Sequence, residues 1–351
     1  MAAPRRPPRT ASNQAATVNK TIVLASRPQG WVKPEDFRLE TAAMPSPGEG
    51  EVLVKNLWLS LDPYMRGRIS DAKSYVPPVA IGGVMVGQTV GEVLESKHTG
   101  FKAGDKVLTS LGWQTHGVAK GAELSKVSSA GETGEVPLSY YLGVLGMPGM
   151  TAYFGLYEIG LPRVGNTVVV SAASGAVGSV VGQLAKASGC RAVGIAGGKA
   201  KCDYVVNELG FDACVDYKAG KLGEELGAAC PQGIDVYFEN VGGPVMEAAM
   251  MRMNFQSRMI ICGLISDYNA TEPYGVKTMR AILVNRIRVQ GMIVFDWLNR
   301  YPEGIRALSA LIASGKLKYR ESVVQGIENA PQGLVDLLQG KNFGKQLVKL
   351  A

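Results

Sequence analysis

Apolar and polar residues alternate with a period of two through the first third of the chain. The alternating runs are residues 21–25, 37–40, 51–58, 91–95, 105–108 and 115–118. Proline and glycine, such as Pro45, Pro47 and Gly50, separate the runs where turns are expected. This pattern predicts short strands that form a β-rich region, arranged as a partly open barrel.

The pattern changes after Pro137. Residues 148–159 have a proline near their start and apolar residues at helical spacing, which predicts a helix. Strand-like and helical runs then alternate, and the predicted strands are 167–171, 191–196, 212–216, 234–239, 258–262 and 288–295. Near-continuous apolar strands separated by helices predict a doubly wound parallel sheet, so the fold class is α/β.

The last part of the chain is predicted to return to the β-rich region. A helical run at 302–314 is followed by strand-like runs at 319–324 and 346–350. A chain of 351 residues is longer than one hydrophobic core usually serves. We therefore predict a tail (1–18), a β-rich domain (19–145 with 316–351) and an α/β domain (146–315).

Residues 166–182 join the first parallel strand to the helix that follows it. They read NTVVVSAASGAVGSVVG, in which Ala173-x-Gly175-x-x-Gly178 is a variant of GxGxxG with alanine at the first glycine. Backbone N–H groups and the positive end of the helix dipole converge at such a turn, which suits a diphosphate. The motif alone also fits a tight packing turn, but its position on the first of six alternating strands favours a dinucleotide site. The predicted contacts are Ser174, Gly175, Ala176, Val177 and Gly178.

The end of the second parallel strand indicates which dinucleotide binds. NAD-binding sheets carry an acidic residue there, which holds the ribose hydroxyls. No Asp or Glu occurs between Cys190 and Cys202, and the strand is followed by Lys199 and Lys201. Because this environment suits a 2′-phosphate, the predicted cofactor is NADPH, with either lysine as the candidate phosphate partner.

The sequence contains no apparent metal site. His98 and His116 have no Cys or carboxylate partners at ligand spacing, and no CxxC motif occurs. Chemistry without a Lewis-acid metal favours reduction of a carbon–carbon double bond conjugated to a carbonyl group over oxidation of an alcohol. The enolate formed in such a reduction needs only a hydrogen-bond donor and then a proton.

Two tyrosines lie in segments predicted to border a ligand. Tyr64 belongs to a polar and aromatic loop at 59–68, and loops of this kind on a rigid scaffold are disproportionately functional. The alternative is that Tyr64 caps the barrel and that Arg66 and Arg68 are solvated surface. Tyr268 follows the fifth parallel strand, at the sheet edge where ligands bind. Since the ordinary pKa of tyrosine is about 10, Tyr268 is predicted to donate a hydrogen bond rather than act as a base.

Composition excludes several classes of protein. With 46% hydrophobic and 19% charged residues, the chain is predicted to be soluble and to have no membrane span. Five widely spaced cysteines predict free thiols in a reducing compartment. The net charge of +7 owes four charges to the first twenty residues, and no basic stripe interleaved with aromatics is present, so nucleic-acid binding is not expected. We predict a cytoplasmic protein with a disordered leader, the alternative being an Arg-rich organellar transit peptide.

Several motifs, in this order along the chain, resemble one family. They are LDPYMRGR (61–68), GMPGMTAY (146–153), the turn with Ala172, Gly175 and Gly178, ENVGG (239–243), CGLISDYN (262–269) and GKNFGK (340–345). Together they are similar to the prostaglandin reductase, plant alkenal double-bond reductase and bacterial curcumin reductase group. That group lies in the zinc-independent medium-chain dehydrogenase/reductase superfamily. The resemblance runs from about Thr21 to Ala351. It implies a GroES-like catalytic domain, a Rossmann domain that binds NADP, and a homodimer.

The resemblance also implies roles for individual residues. Lys201 and Tyr217 would bind the 2′-phosphate, and Thr151 and Asn342 would close the cofactor cleft. The nicotinamide half would be bordered by Asn240, Cys262, Gly263 and Tyr268. Catalytic roles at the substrate site would fall to Tyr64 and Tyr268. The chain departs from the family at Ser174-Gly175, where Thr-Gly is usual, and at Lys199-Ala200, which leaves open which lysine holds the phosphate.

The leading functional hypothesis is NADPH-dependent reduction of the carbon–carbon double bond of α,β-unsaturated ketones and aldehydes. One alternative is a zinc-free quinone oxidoreductase. Another is a non-catalytic NADPH-binding protein, against which Tyr64 and Tyr268 argue, because pure binding needs only the phosphate turn. The run at 289–295 predicts a long apolar edge strand that needs cover. Pairing across a two-fold axis would cover it, which predicts a homodimer.

Overall fold

The structure is a computed structural model that describes residues 18–74, 76–131 and 134–351. Residues 1–17, which form nearly all of the predicted leader or targeting tail, lie outside the described residues. No helix in the described ranges is long and apolar enough to cross a membrane.

The first part of the chain is rich in β-strands, as its period-two pattern predicts. Its strands are β1 (Asn19–Leu24), β2 (Phe37–Ala42), β3 (Glu51–Ser60), β4 (Thr89–Ser96), β5 (Lys106–Thr109), β6 (His116–Lys120), β7 (Ser125–Lys126), β8 (Ala130–Gly131) and β9 (Gly134–Glu135). In the main sheet β3 pairs with β4 and β6, β4 pairs with β5, and β5 pairs with β7. The pairs β1–β2 and β8–β9 form separate antiparallel ribbons.

The second part contains a six-stranded parallel sheet, which confirms the predicted α/β fold. Its strands are β10 (Thr167–Ser171), β11 (Arg191–Ala196), β12 (Ala213–Asp216), β13 (Ile234–Glu239), β14 (Met253–Ile261) and β15 (Arg288–Gly291). They lie in the order β12-β11-β10-β13-β14-β15. Every residue of β10 is buried, which explains why this strand reads as a continuous apolar run.

The helices of the described residues cover the parallel sheet and close the β-rich part. They are α1 (Met65–Arg68), α2 (Met147–Phe154), α3 (Gly178–Ala187), α4 (Lys199–Asn207), α5 (Leu222–Ala229), α6 (Gly243–Met250), α7 (Met279–Asn285), α8 (Tyr301–Ala313) and α9 (Ala330–Leu338). A π-helical turn, Gly155–Gly160, continues α2. Short 3₁₀ turns are Pro34–Asp36, Gly121–Glu123, Leu138–Leu142, Tyr217–Ala219, Val294–Arg300 and Ile327–Asn329.

The predicted edge strand at 288–295 is shorter than its apolar pattern suggests. It ends at Gly291, and a 3₁₀ turn begins at Val294. Met292 and Val294 are buried in the core that also contains Phe154 of α2. The chain therefore leaves the sheet edge because these side chains pack inward, and the apolar run reflects this core rather than a longer strand.

The end of the chain returns to the first sheet through β16 (Glu321–Gln325) and β17 (Lys345–Lys349). These two strands pair in parallel, and β17 pairs antiparallel with β3. Between them α9, for which the pattern gave no prediction, buries Leu334 in the same core as Leu59 of β3. The limits of the two domains stay a prediction, which this pairing supports.

Candidate active site

A cavity of about 790 Å³ lies between the two parts, at the carboxyl ends of the parallel strands. It is lined by the phosphate turn (residues 172–178), by the ends of β11, β13 and β14, and by residues of the β-rich part. With the exception of Lys199, every site residue predicted from the sequence borders this one cavity: Tyr64, Thr151, Ser174, Gly175, Ala176, Val177, Gly178, Lys201, Tyr217, Asn240, Cys262, Gly263, Tyr268 and Asn342.

The phosphate turn follows β10 directly and has an unusual backbone. Ala172 has a φ of 51°, which is uncommon for a residue with a side chain. The N–H of Gly175 donates to the carbonyl of Ala172 at 2.9 Å. A β-carbon on Gly178 would overlap the Ala172 carbonyl, so only glycine lets α3 begin this close to the strand. The backbone and the N-terminus of α3 therefore reach the cavity, as a bound diphosphate requires.

One end of the cavity is positively charged. Lys201 and Lys218 both line it, and Tyr217 lies beside them. Burial, and then the nearby charge of Lys218, lower the pKa of Lys201. The ammonium of Lys201 donates to the carbonyl of Gly340 at 2.6 Å. Two lysines that face the same space form an anion site, which suits a 2′-phosphate.

The structure separates the two lysines that the sequence left as alternatives. The side chain of Lys199 is 85% exposed and pairs with Asp203 at 2.6 Å on the outer surface of α4. It does not border the cavity, whereas Lys201 does. Sequence reasoning missed Lys218, although its position next to Tyr217 was a usable signal.

A buried carboxylate organises the turn after β13. Glu239 is fully buried and accepts hydrogen bonds from Ser171 Oγ (2.7 Å), the hydroxyl of Tyr237 (2.7 Å) and the N–H of Gly242 (3.0 Å). Burial raises the pKa of Glu239, and these hydrogen bonds oppose that rise. Asn240 N–H also donates to Ser171 Oγ at 2.8 Å, and its side chain donates to Ser171 O at 2.9 Å. The turn that presents Asn240 to the cavity is thereby fixed.

Cys262 and Gly263 border the cavity just after β14. Their N–H groups donate to the carbonyl of Glu239 at 2.9 and 3.2 Å. Burial, with a further contribution from the Glu239 carboxyl, raises the pKa of the Cys262 thiol to about 12. Because the thiolate is the nucleophilic form, Cys262 is a neutral wall residue at physiological pH.

Two tyrosines border the other end of the cavity. Tyr64 immediately precedes α1, and Tyr268 lies in the turns after β14. The Tyr268 hydroxyl accepts a long hydrogen bond, 3.4 Å, from the N–H of Leu264. Both tyrosines also line a side chamber of about 240 Å³, with Arg68 on its wall. The two residues predicted at the substrate site therefore lie together.

The alternative interpretation, in which Arg66 is solvated surface, is wrong. The residue is 7% exposed, and burial lowers the pKa of its guanidinium. Its Nε donates to Asn269 Oδ1 at 3.0 Å, and an η nitrogen donates to Gly30 O at 3.0 Å and Pro28 O at 3.4 Å. Arg66 thus ties the Tyr64 loop to the Tyr268 loop and to a third loop near Gly30.

A buried ion pair also borders the cavity and was not anticipated. The ammonium of Lys345 donates to Asp62 Oδ1 at 2.7 Å and to Leu61 O at 2.6 Å. The hydroxyl of Ser60 donates to the other carboxylate oxygen of Asp62. Burial lowers the pKa of Lys345, whereas the Asp62 charge opposes this. The pair holds the start of the segment that carries Tyr64.

The side chains of Thr151 and Asn342 each donate a hydrogen bond to a backbone carbonyl nearby in the chain. Thr151 Oγ1 donates to Met147 O at 2.7 Å in α2, and the amide of Asn342 donates to Gly344 O at 2.8 Å. These bonds orient the two residues, both of which border the cavity.

The described residues contain no group of three or more His, Cys, Asp or Glu side chains that could hold a metal ion. Burial lowers the pKa of His116. The five cysteines, all within the described ranges, are free, as predicted.

Comparisons with known proteins identify similar chains over nearly the whole length. Two family models match: the N-terminal domain of oxidoreductase at residues 20–127, and zinc-binding dehydrogenase at residues 176–310. NADPH-dependent curcumin reductase of Escherichia coli (strain K12) is 50% identical over 339 residues, which cover 95% of this chain and 97% of that protein. The NADP(+)-dependent 2-alkenal reductase of Nicotiana tabacum is 42% identical over 339 residues, covering 95% of this chain and 98% of that protein.

A solved structure is similarly close. CurA from Vibrio vulnificus in complex with NADPH is 49% identical to this chain and matches it with a TM-score of 0.89. The match covers 95% of this chain and 99% of that one.

Proposed function

Because this chain belongs to the zinc-independent medium-chain dehydrogenase/reductase superfamily, in the group that includes curcumin and alkenal reductases, we propose that it reduces carbon–carbon double bonds conjugated to a carbonyl group. The chain is an NADP-dependent oxidoreductase, and NADPH is its cofactor. The substrates that we propose are α,β-unsaturated ketones and aldehydes.

One observation carries this proposal. A single cavity has a phosphate turn and two lysines at one end and two tyrosines at the other. Such a cavity can hold a dinucleotide and a small organic molecule side by side. A protein that only bound the dinucleotide would not need the second, tyrosine-bordered end.

The residues of the cavity fit NADPH. The turn of residues 174–178 would hold the diphosphate, and Lys201, Tyr217 and Lys218 would hold the 2′-phosphate. Asn240, Cys262 and Gly263 would border the nicotinamide half, between walls that carry Thr151 and Asn342. The bound cofactor supplies the hydride that adds to the β-carbon of the substrate.

The protein's own contribution is to orient the substrate and stabilise the charge that develops on its carbonyl oxygen. Tyr268 donates a hydrogen bond to this oxygen as the enolate forms, and Tyr64 confines the substrate from the facing loop. A proton from the solvent then adds to the α-carbon of the enolate, which completes the addition of two hydrogens and restores the carbonyl group. The thiol of Cys262 takes no part as a nucleophile, because its raised pKa keeps it protonated.

We also propose that the protein is a homodimer in which β15 pairs across a two-fold axis. β15 is the last strand of the parallel sheet, and all four of its residues are exposed. An unprotected edge strand is a site for pairing with another chain, and a two-fold partner closes it.

The experiment that tests the function supplies the purified protein with NADPH and a panel of enones, enals and quinones. NADPH consumption is followed by absorbance, and the products are analysed by mass. We expect products that are two hydrogens heavier and retain their carbonyl group. Turnover of quinones alone would instead identify a quinone oxidoreductase. NADPH binding without any turnover would identify a non-catalytic binding protein.

A further inference from the structure

An exposed tryptophan stands at the mouth of the cavity, near the two tyrosines. Trp31 is 54% exposed and lines the cavity. The next residue, Val32, is buried in the core cluster against which Tyr64 and Ile265 pack. Trp31 was not among the residues that the sequence singled out. A single exposed aromatic side chain is common on protein surfaces, but Trp31 lines the ligand cavity and can therefore contact what binds there.

The loop that carries Trp31 is held at both ends. The carboxylate of Asp36 accepts hydrogen bonds from Ser26 Oγ and from the N–H of Lys33, both at 2.9 Å. Pro28 is buried, and its carbonyl accepts from the Arg66 guanidinium. The backbone on either side of Trp31 is therefore fixed, although its side chain is open to the cavity.

Arg66 also sets the position of this loop relative to Tyr268. The same guanidinium binds Gly30 O, next to Trp31, and Asn269 Oδ1, next to Tyr268. Gly30 lies against the Tyr268 loop, because a β-carbon on Gly30 would be 3.8 Å from the carbonyl oxygen of Asn269. The loops that carry the Trp31 indole and the Tyr268 phenol are therefore held together by the buried guanidinium of Arg66.

We propose that Trp31 is a specificity-determining residue that contacts a flat aromatic group carried by the substrate beyond its conjugated double bond. Aromatic rings stack on one another or meet edge to face, and a ring on a fixed backbone does so at little entropic cost. Trp31 then favours enones conjugated to an aryl group over enones that carry only an alkyl chain. This inference rests on the proposed reduction of enones and adds the substrate class to it.

The test compares benzalacetone, an aryl enone, with a straight-chain alkyl enone that has the same methyl ketone. For each protein we measure, with saturating NADPH, the kcat/KM for benzalacetone divided by the kcat/KM for the alkyl enone. In Trp31→Ala we expect this ratio to fall about three- to ten-fold, the range that one aromatic pair supplies. Trp31→Phe should recover most of the ratio because it keeps a ring at the same position.

Phe255→Ala is the matched control, since Phe255 is 61% exposed and lies outside the cavity. Its ratio should equal that of the wild type. An unchanged ratio in Trp31→Ala would overturn the inference. This includes the case in which kcat/KM falls equally for both enones, because Trp31 would then be a general wall residue and not an aryl contact.

A binding measurement separates this inference from the proposed function. Benzylacetone, the saturated aryl ketone, is titrated into the NADP⁺-loaded protein by calorimetry, with a saturated alkyl ketone alongside. We expect Trp31→Ala to lose about three- to ten-fold more affinity for benzylacetone than for the alkyl ketone. If the wild type reduces no enone but Trp31 still sets this preference, only the proposed function fails. If enones are reduced and the preference is absent, only the role of Trp31 fails.

Discussion

The N–H of Gly344 donates a hydrogen bond of 2.9 Å to the carbonyl of Ser174, so the last strand of the chain begins on the phosphate turn. Gly344 has a φ of 65°, and a β-carbon there would overlap the carbonyl of Arg320, so the position requires glycine. The next residue, Lys345, reaches the other way and binds Asp62. Two consecutive residues thus join the cofactor turn to the segment that carries Tyr64.

Lys345→Met should destabilise the protein by about 3–5 kcal/mol, because it leaves the buried Asp62 carboxylate without its cation. Urea denaturation measures this loss. Replacing both partners, as in Lys345→Met with Asp62→Leu, should recover a large part of it. The control is Lys341→Met, whose ion pair with Asp336 is solvent-exposed and should contribute at most about 1 kcal/mol. A loss at Lys345 no larger than at Lys341 would show that the buried pair has no such role.

Lys201→Ala should weaken binding of NADPH about ten- to hundred-fold, the loss expected for one hydrogen bond to a charged group. Binding of NADH should hardly change because NADH lacks the 2′-phosphate. Titration of both cofactors, followed by fluorescence, gives the two dissociation constants. Lys199→Ala is the matched control and should bind NADPH like the wild type, since Lys199 points away from the cavity toward Asp203. Equal losses for NADPH and NADH in Lys201→Ala would refute the assignment.

Tyr268→Phe should lower kcat for an enone about a hundred-fold, as expected when one donor to a developing oxyanion is removed. Affinity for NADPH, measured by titration without substrate, should change far less. Tyr64→Phe provides the comparison, because it removes a hydroxyl from the facing loop while keeping the ring that confines the substrate. An unchanged kcat in Tyr268→Phe would mean that another group stabilises the enolate.

Cys262 should resist alkylation at neutral and mildly alkaline pH. With a pKa of about 12, only about one thiol in ten thousand is ionised at pH 8, far fewer than for a free cysteine. Because the pKa of the Cys262 thiol is higher in the folded protein than in the unfolded chain, the free energy of unfolding keeps its full value below the unfolded pKa of about 8.5. It then falls as the pH rises toward 12. Iodoacetamide labelling, read by mass spectrometry for native and urea-unfolded protein, checks this. Fast labelling of the native thiol at pH 8 is the contrary result.

Light scattering at working concentration should give the mass of a homodimer. Val289→Lys places a charge on the exposed edge strand β15 and should shift the mass toward the monomer. Val323→Lys is the control, since Val323 is comparably exposed but lies on β16, in the other sheet. A wild-type monomer, or a dimer that both variants preserve, would exclude pairing through β15.

The fold and the cofactor half of the site could be predicted because they depend on local patterns. Buried parallel strands read as apolar runs, and the close approach of α3 to β10 demands a glycine at Gly178. Lys201 follows the end of β11, so its position at the sheet edge could be inferred, whereas Tyr217 was implied only by the resemblance to the family.

The residues that were missed depend on contacts between distant parts of the chain. Arg66 looks like a surface arginine until the loops at Gly30 and Asn269 supply acceptors for its guanidinium. Lys345 and Asp62 are far apart in the chain and meet only because β17 pairs with β3. Trp31 belongs to no recognisable sequence motif. Its position at the cavity mouth depends on the hydrogen bonds that fix the loop on either side of it, which the sequence does not reveal.

The pairing of β17 with β3 has a consequence for how the protein is made. Leu347, which pairs with Ser60, is synthesised long after it, because the whole parallel sheet lies between them in the chain. At about 5–20 residues per second, the ribosome leaves β3 without this partner for some tens of seconds, while the parallel sheet between them can already form. The nascent chain thus exposes the end of β3 until β17 has been synthesised. The cavity is completed late, because Gly344 contacts the phosphate turn and Lys345 contacts Asp62 only after both of those earlier segments have been synthesised.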